Sequence, residues 1–353
     1  MNNRFVCALA LLLLVFTACQ RPLVSDDQPD AGPWTETDIT TERVIQNLHG
    51  TPFELYAATE NEFVRINKNT EVVERRPLDV TFGTTGVPTL SDNVMSRVKF
   101  GSDNQQVLEF HLTRSPSEVA RFTPDQFLLP DDNTLLYNLP LGHPFGAFDD
   151  DNRLFLIPVR VFGSPRDHMA FLLFDLRQNA LFTEFESVEL IAREDILDLG
   201  AQENLVNSVR YVDGNFYVAT LNGAWRIAPD GTTEKIFSQW MLDFFELRGN
   251  LYATGLNSFD LHVSYDSGAT WERINENSDL KYPQVHNERV FNQAIWGASF
   301  GLSEDLKTTK RIIYPEAIPS QDFDKFYGVS YFDDRYFFSA DKSIWWSTEP
   351  TLE

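Results

Sequence analysis

The chain has 353 residues, of which 29 are basic and 52 acidic, so its formal net charge is −23. This charge argues against binding to nucleic acid or to anionic lipid through a basic surface. Aromatic residues make up 13% of the chain, too many for a disordered protein, and its two cysteines cannot form a disulfide scaffold or a four-cysteine zinc site.

The N-terminus has the composition of an export signal, with Arg4 ahead of an apolar run from Phe5 to Phe16. A helix of that length spans only about 18 Å, less than the roughly 30 Å hydrocarbon core, so we predict a signal peptide rather than a transmembrane helix. Residues Thr17-Ala18-Cys19 resemble the end of a bacterial lipobox. The resemblance implies cleavage after residue 18 and lipidation of Cys19; the alternative is an ordinary signal peptide that leaves Cys19 free.

The segment after Cys19 is rich in proline and acidic residues, a composition typical of a tether that cannot bury enough apolar surface to fold. We therefore predict a signal peptide over 1–18, a disordered tether over 19–38 and one folded domain over 39–353. The predicted location is a lipid-anchored position in the cell envelope. Gln20 favours the outer membrane, because an aspartate after the lipidated cysteine is typical of inner-membrane retention.

From about residue 40 the hydrophobic pattern has a period of two, which predicts β-strands. Only Ser187 to Leu199 could form a helix, and it could equally be a strand followed by a helical turn. Short apolar runs flank seven turns of Asp, Gly and Asn type, which favour β-hairpins. These turns lie near Gly50, Asp103, Asp150, Gly214, Gly249, Asn287 and Asp334.

The hairpins recur roughly every 40–50 residues, the spacing of four-stranded β-propeller blades. The sequence therefore predicts an all-β propeller of seven blades, with six or eight as alternatives. The last blade has only three strands before the chain ends, so an N-terminal strand must close the ring and cover that edge. We predict Ile39 to Gln46 as that strand.

One eight-residue segment, Ser264-Tyr265-Asp266-Ser267-Gly268-Ala269-Thr270-Trp271, carries a family pattern. It resembles the Asp-box, or BNR repeat, of sialidases, sortilin-type receptors and photosystem II assembly factors, all of which are propellers. The resemblance implies a structural role for Ser264, Asp266, Gly268, Thr270 and Trp271 in the hairpin between a third and a fourth strand. Degenerate copies begin at Ala228 and Ser303, and a shorter one at Trp346.

No catalytic residue is predicted. The chain lacks the Phe-Arg-Ile-Pro segment usual in sialidases, and it has no nucleophile elbow, phosphate-binding loop or dinucleotide fingerprint. Its six histidines show no metal-site spacing, and its many carboxylates single out no glycosidase pair.

Two weaker candidate sites remain. Asp149, Asp150 and Asp151 are either a solvated turn or ligands of a calcium ion, the one cofactor that the sequence suggests. Arg166, Asp167 and His168 lie in the longest predicted loop between a second and a third strand, and they either contact a partner or are simply exposed.

These observations favour a non-catalytic binding or assembly module of a bacterial envelope, held at a membrane by its lipid and recognising a protein or a glycan. One alternative is a carbohydrate-active enzyme, either a glycosidase or a lyase. Another is a structural subunit of an envelope complex.

Overall fold

The structure is a computed structural model that describes residues 34–79, 84–101, 105–115, 118–137, 143–163, 167–197, 205–255, 260–276, 278–293, 300–314 and 328–352. These residues belong to one compact unit, Ala31–Glu353. Nearly all of its regular structure is antiparallel β-sheet. Within the described ranges the only helical segment is a short 3-10 helix, Pro124–Gln126. No helix in them has the length and hydropathy that a membrane span needs.

The strands form seven separate sheets. After an initial strand β1 (Thr35–Thr40), blade one contains β2 (Asn47–Gly50), β3 (Leu55–Ala58), β4 (Glu62–Ile66) and β5 (Val72–Pro77). Blade two contains β6 (Thr84–Leu90), β7 (Val94–Phe100), β8 (Gln106–Leu112) and β9 (Val119–Phe122). Blade three contains β10 (Asp132–Tyr137), β11 (Ala147–Asp149), β12 (Leu154–Gly163), β13 (His168–Gln178) and β14 (Phe185–Ile196).

The later blades are more regular. Blade four contains β15 (Val206–Val212), β16 (Asn215–Thr220), β17 (Gly223–Ile227) and β18 (Thr233–Phe237). Blade five contains β19 (Met241–Leu247), β20 (Asn250–Gly255), β21 (Leu261–Ser264) and β22 (Glu272–Asn275). Blade six contains β23 (Tyr282–His286), β24 (Arg289–Gln293), β25 (Phe300–Ser303) and β26 (Lys310–Arg311). Blade seven contains β27 (Val329–Phe332), β28 (Arg335–Ala340) and β29 (Ser343–Ser347) and is completed by β1.

The blades form a ring because their innermost strands touch one another in sequence. Contacts run from β2 to β6, from β6 to β11, onward through β15, β19, β23 and β27, and back to β2. The predicted seven-bladed propeller is therefore confirmed. Blade three departs from four strands, since β10 and β11 both pair with β12 and share the innermost position.

The core is divided among the blade interfaces. The described residues form seven hydrophobic clusters, and each lies between two neighbouring blades. Consecutive residues of a strand point to opposite faces, so Phe244 packs toward blade four and Phe245 toward blade six. Hydrophobic alternation in one strand thus serves two interfaces.

An N-terminal strand does close the ring, but the predicted segment was wrong. The closing strand is β1, which pairs with β29, whereas Ile39 to Gln46 supplies only its last two residues. β1 therefore occupies the last residues of the predicted tether. Its sequence contains a single aliphatic residue, Ile39, because the strand covers an outer edge and buries only alternate side chains.

Two other local predictions need correction. Residues 91–93 form the turn between the first and second strands of blade two, whereas Asp103 falls in the sequence between β7 and β8 and lies outside the described ranges. The segment from Ser187 forms the strand β14 through Ile196, and residues 198–199 lie outside the described ranges. β14 pairs along nearly its whole length with β13, and this pairing settles the ambiguity in favour of a strand.

Candidate functional site

The central axis is filled by aromatic and charged side chains. His143, just before β11, and Tyr282, at the start of β23, are three blades apart in the ring of seven, yet their rings lie 4.0 Å apart between centroids. Beside them the Arg210 guanidinium donates two hydrogen bonds, of 2.6 and 2.8 Å, to the carboxylate of Asp243. His143, Tyr282 and Asp243 are buried. Four blades therefore meet at the axis.

Burial controls the ionisation of these groups. It lowers the pKa of His143 to about 4, and the positive charge of Arg210 acts in the same direction. Burial raises the pKa of Tyr282 to about 12, and the Asp243 carboxylate adds to the effect. At neutral pH the axis therefore contains one ion pair and two uncharged rings.

A second polar group lies at the end of the axis where each first strand turns into the second. His49 Nε2 lies 2.9 Å from an Asp92 carboxylate oxygen. His286, at the end of β23, has its pKa lowered to about 4 by burial and by the neighbouring charges of His49 and Arg210.

The three consecutive aspartates have different surroundings. Asp149 is buried, and its carboxylate accepts hydrogen bonds from the backbone and side-chain amides of Asn152 at 3.1 and 2.7 Å. Asp150 and Asp151 are exposed. Within the described ranges, no three His, Cys, Asp or Glu residues form a group that could hold a metal ion. Calcium binding at this turn stays a prediction.

The predicted partner-binding loop is only partly described. Arg166 and Cys19 both lie outside the described residues, and Asp167 is half-buried. His168 begins β13 and is 5% exposed, with its Nε2 atom 3.0 Å from the Asp195 carboxylate. The expectation that His168 lies exposed in this loop is wrong, because it belongs to β13 and is buried.

The Asp-box residues form a closed set of contacts in the hairpin between β21 and β22. Asp266 accepts hydrogen bonds from the Thr270 amide at 2.8 Å and the Thr270 hydroxyl at 2.6 Å. The Ser264 hydroxyl donates to Asp266 at 2.8 Å and accepts from the Gly268 amide at 2.8 Å. The bonds from Thr270 and Ser264 lower the pKa of Asp266 to about 2.

Gly268 and Trp271 fix this hairpin to blade four. Gly268 has φ +81°, and a Cβ there would lie 2.7 Å from the Tyr217 hydroxyl oxygen, so the close approach requires glycine. The Trp271 indole donates to the Gly268 carbonyl at 3.1 Å and packs against Phe237 and Phe244. All of these contacts stabilise the hairpin and its blade interface.

One of the degenerate copies keeps the same chemistry. In blade six, Asp305 accepts hydrogen bonds from the amides of Lys307 and Thr308 and from the Thr308 hydroxyl, and its pKa is lowered in consequence. In blade four, Asp230 accepts a hydrogen bond from the Thr232 amide at 2.9 Å, and hydrogen bonding to Thr232 lowers its pKa. The turn carboxylate is therefore the part of the motif that persists.

A cavity of about 500 Å³ lies between blades five and six. We call it the interblade groove. It opens among the turns that follow first and third strands, and the end of the chain borders it. Its lining residues are Leu247, Arg248, Asn250, Tyr252, Glu288, Arg289, Val290, Leu302, Ser303, Glu304, Asp305, Leu306, Glu349 and Leu352.

Sequence reasoning identified the hairpins that border this groove but not the groove itself. Its residues come from three blades and have no common spacing along the chain. The axial residues were missed for the same reason, since His143 and Arg210 look like ordinary scattered polar residues in the sequence. Only the closed ring brings them together.

Comparisons with known proteins support the fold. No protein-family model and no curated protein matches the sequence. The WD40 domain of Pan2 from Neurospora crassa is 8% identical, with a TM-score of 0.54 over 92% of this chain and 98% of that domain. The GH74 enzyme of Niastella koreensis is 11% identical, with a TM-score of 0.53 over 88% of this chain and 53% of the enzyme.

The extracellular domain of BT4673 from B. thetaiotaomicron is also similar, at 13% identity and a TM-score of 0.50 over 91% of this chain. This chain spans only 40% of that domain's length. At such low identities the three structures establish a common propeller fold and nothing about a shared ligand.

Proposed function

We propose that this chain is an exported, lipid-anchored propeller that serves as a non-catalytic binding or assembly module of a bacterial envelope, with a protein or a glycan as its partner. The N-terminal signal and Cys19 support the location, and the Asp-box supports a place near the BNR propellers. The observation that carries the binding role is the interblade groove, a cavity within the range of about 300–1,000 Å³ found for small-molecule sites.

The carboxylates of the groove are better suited to holding its shape than to hydrolysing a substrate. Glu349 accepts from Arg289 at 2.8 Å, and Glu304 pairs with Lys310 at 2.7 Å. Asp305 is fixed in its hairpin and has a lowered pKa. A glycosidase acid needs the opposite shift, a carboxyl whose pKa is raised. These pairings favour binding over the enzymatic alternative.

The anchor is tested by metabolic labelling with a radioactive fatty acid in a bacterial host. The full chain should carry label and sediment with membranes, whereas Cys19→Ser should carry none and remain soluble. Equal labelling of both would refute lipidation at Cys19.

The binding role is tested on the full chain extracted from its own membranes in mild detergent. Recovery of one partner, protein or glycan, at constant stoichiometry would support the proposal. Release of reducing ends from an envelope polysaccharide would refute a non-catalytic role, and recovery of the chain alone would refute a stable assembly.

A further inference from the structure

The floor of the interblade groove is apolar and belongs to the packed core. Leu247 and Val290 belong to the hydrophobic cluster that joins blades five and six, and Leu306 packs against the same cluster. Leu302 belongs to the next cluster, between blades six and seven. The base of the groove is therefore part of the core, and a ligand would meet a preformed surface rather than a mobile loop.

One wall of the groove is an aromatic ring held in a fixed orientation. Tyr252 stacks on Phe245 with 5.0 Å between ring centroids and 15° between ring planes. Phe245 is buried beneath it. A flat ring supported from one side offers an apolar surface, with a hydroxyl group at its tip. The C–H face of a pyranose ring fits such a surface.

The rim carries donors and acceptors that are already positioned. Arg289 is fixed by both carboxylate oxygens of Glu349, at 2.8 and 3.1 Å, and its guanidinium lies 5.5 Å from the centre of the Tyr336 ring. Arg248 and Glu288 face each other from neighbouring blades, 3.6 Å apart and both largely exposed. Planar guanidinium and carboxylate groups can each hydrogen-bond two adjacent hydroxyl groups.

Positive and negative side chains both lie on the rim, and this mixture indicates whether the ligand is charged or neutral. Two arginines and four carboxylates line the groove, and each arginine is paired with one of the carboxylates, Arg248 with Glu288 and Arg289 with Glu349. A basic peptide would meet Arg248 and Arg289, and an acidic polymer would meet Glu288, Glu304 and Glu349. An uncharged ligand rich in hydroxyl groups suits both signs.

We propose that the interblade groove binds a neutral saccharide, with a sugar ring stacked on Tyr252 and its hydroxyl groups bonded to Arg248, Asn250 and Glu288. This proposal rests on the proposed function, because it selects the glycan among the partners considered there. It places the site between blades five and six rather than on the axis, which His143 and Tyr282 fill.

The test measures binding of the folded chain to neutral hexasaccharides of glucose, mannose, galactose and xylose by isothermal titration calorimetry. At least one should bind the unaltered protein. Tyr252→Ala should weaken that binding at least tenfold, while Tyr252→Phe, which keeps the ring, should weaken it less than threefold. Tyr265→Ala is the matched control, because Tyr265 is 68% exposed and lies outside the groove; it should leave binding unchanged.

Arg248→Ala guards against a folding defect, because Arg248 is exposed at a turn and its loss should weaken binding several-fold without changing the melting temperature. The saccharide proposal is overturned if no hexasaccharide binds, or if Tyr252→Ala and Arg248→Ala both bind normally. If no saccharide binds but the membrane-extracted chain still recovers a protein partner, the saccharide inference fails and the binding role stands. If neither is found, both fail.

Discussion

Closure of the ring by β1 gives the sharpest stability prediction. We compare a chain that begins at residue 34 with one that begins at residue 41, so that both lack the N-terminal segment and only the second lacks β1. The second chain loses Ile39, which is 2% exposed, together with the Thr37 hydroxyl bond to the Ile344 carbonyl at 2.9 Å. It also loses Trp34, whose indole donates to the Ile313 carbonyl at 3.0 Å and packs against Phe338.

The magnitude follows from these contacts. Burial of Ile39 is worth about 1.5–3 kcal/mol, and each of the two side-chain hydrogen bonds about 1 kcal/mol. The Trp34 ring contacts add about 1 kcal/mol, so the total loss is about 5 kcal/mol. That is a large part of the 5–15 kcal/mol by which domains are usually stable, and β29 would in addition become an open edge.

The assay is urea unfolding followed by tryptophan fluorescence and circular dichroism. The shorter chain should unfold at a much lower urea concentration, or lose its single cooperative transition. Ile39→Ala in the full chain should cost about 2–5 kcal/mol, whereas Ile274→Ala, at a position 44% exposed, should cost far less. Identical midpoints for the two truncated chains would refute closure by β1.

Three further predictions concern the axis and the Asp-box. Asp243→Asn should destabilise the protein by about 3–5 kcal/mol in urea unfolding, because it leaves the Arg210 charge at the axis without its partner, and equal stability would contradict the ion pair. His143 and His286 have folded-state pKa values lowered to about 4. Each should therefore contribute up to about 3 kcal/mol to the free energy of unfolding above pH 6.5, and this contribution should be lost as the pH falls toward 4. His143→Gln should flatten that pH dependence, and an unchanged slope would show that His143 is not buried in the neutral form. Asp266→Asn should lower the melting temperature at pH 7, because the ionised Asp266 carboxylate stabilises the folded state and its pKa is therefore lowered to about 2. The difference in melting temperature from the unaltered protein should shrink as the pH falls from 3.8 through about 2, where that carboxylate becomes protonated.

Several features could be read directly from the sequence because they depend on near neighbours along the chain. Alternating hydrophobicity predicted the strands, and turn residues such as Asp213-Gly214 predicted the hairpins between them. The regular return of those hairpins predicted the blade number. The Asp-box hairpin could be located from eight consecutive residues, because its hydrogen bonds span at most four positions.

Tertiary structure decided what depends on residues far apart in the chain. β1 has one aliphatic residue and looked like a tether, and only its pairing with β29, some 300 residues later, makes it a strand. The contact of His143 with Tyr282 and the walls of the interblade groove exist only after the ring closes. Local patterns determine strands and turns because backbone hydrogen bonding and side-chain alternation act over a few residues. The axis and the groove were not predictable, because each combines side chains from several blades whose relative positions are set by packing around the ring.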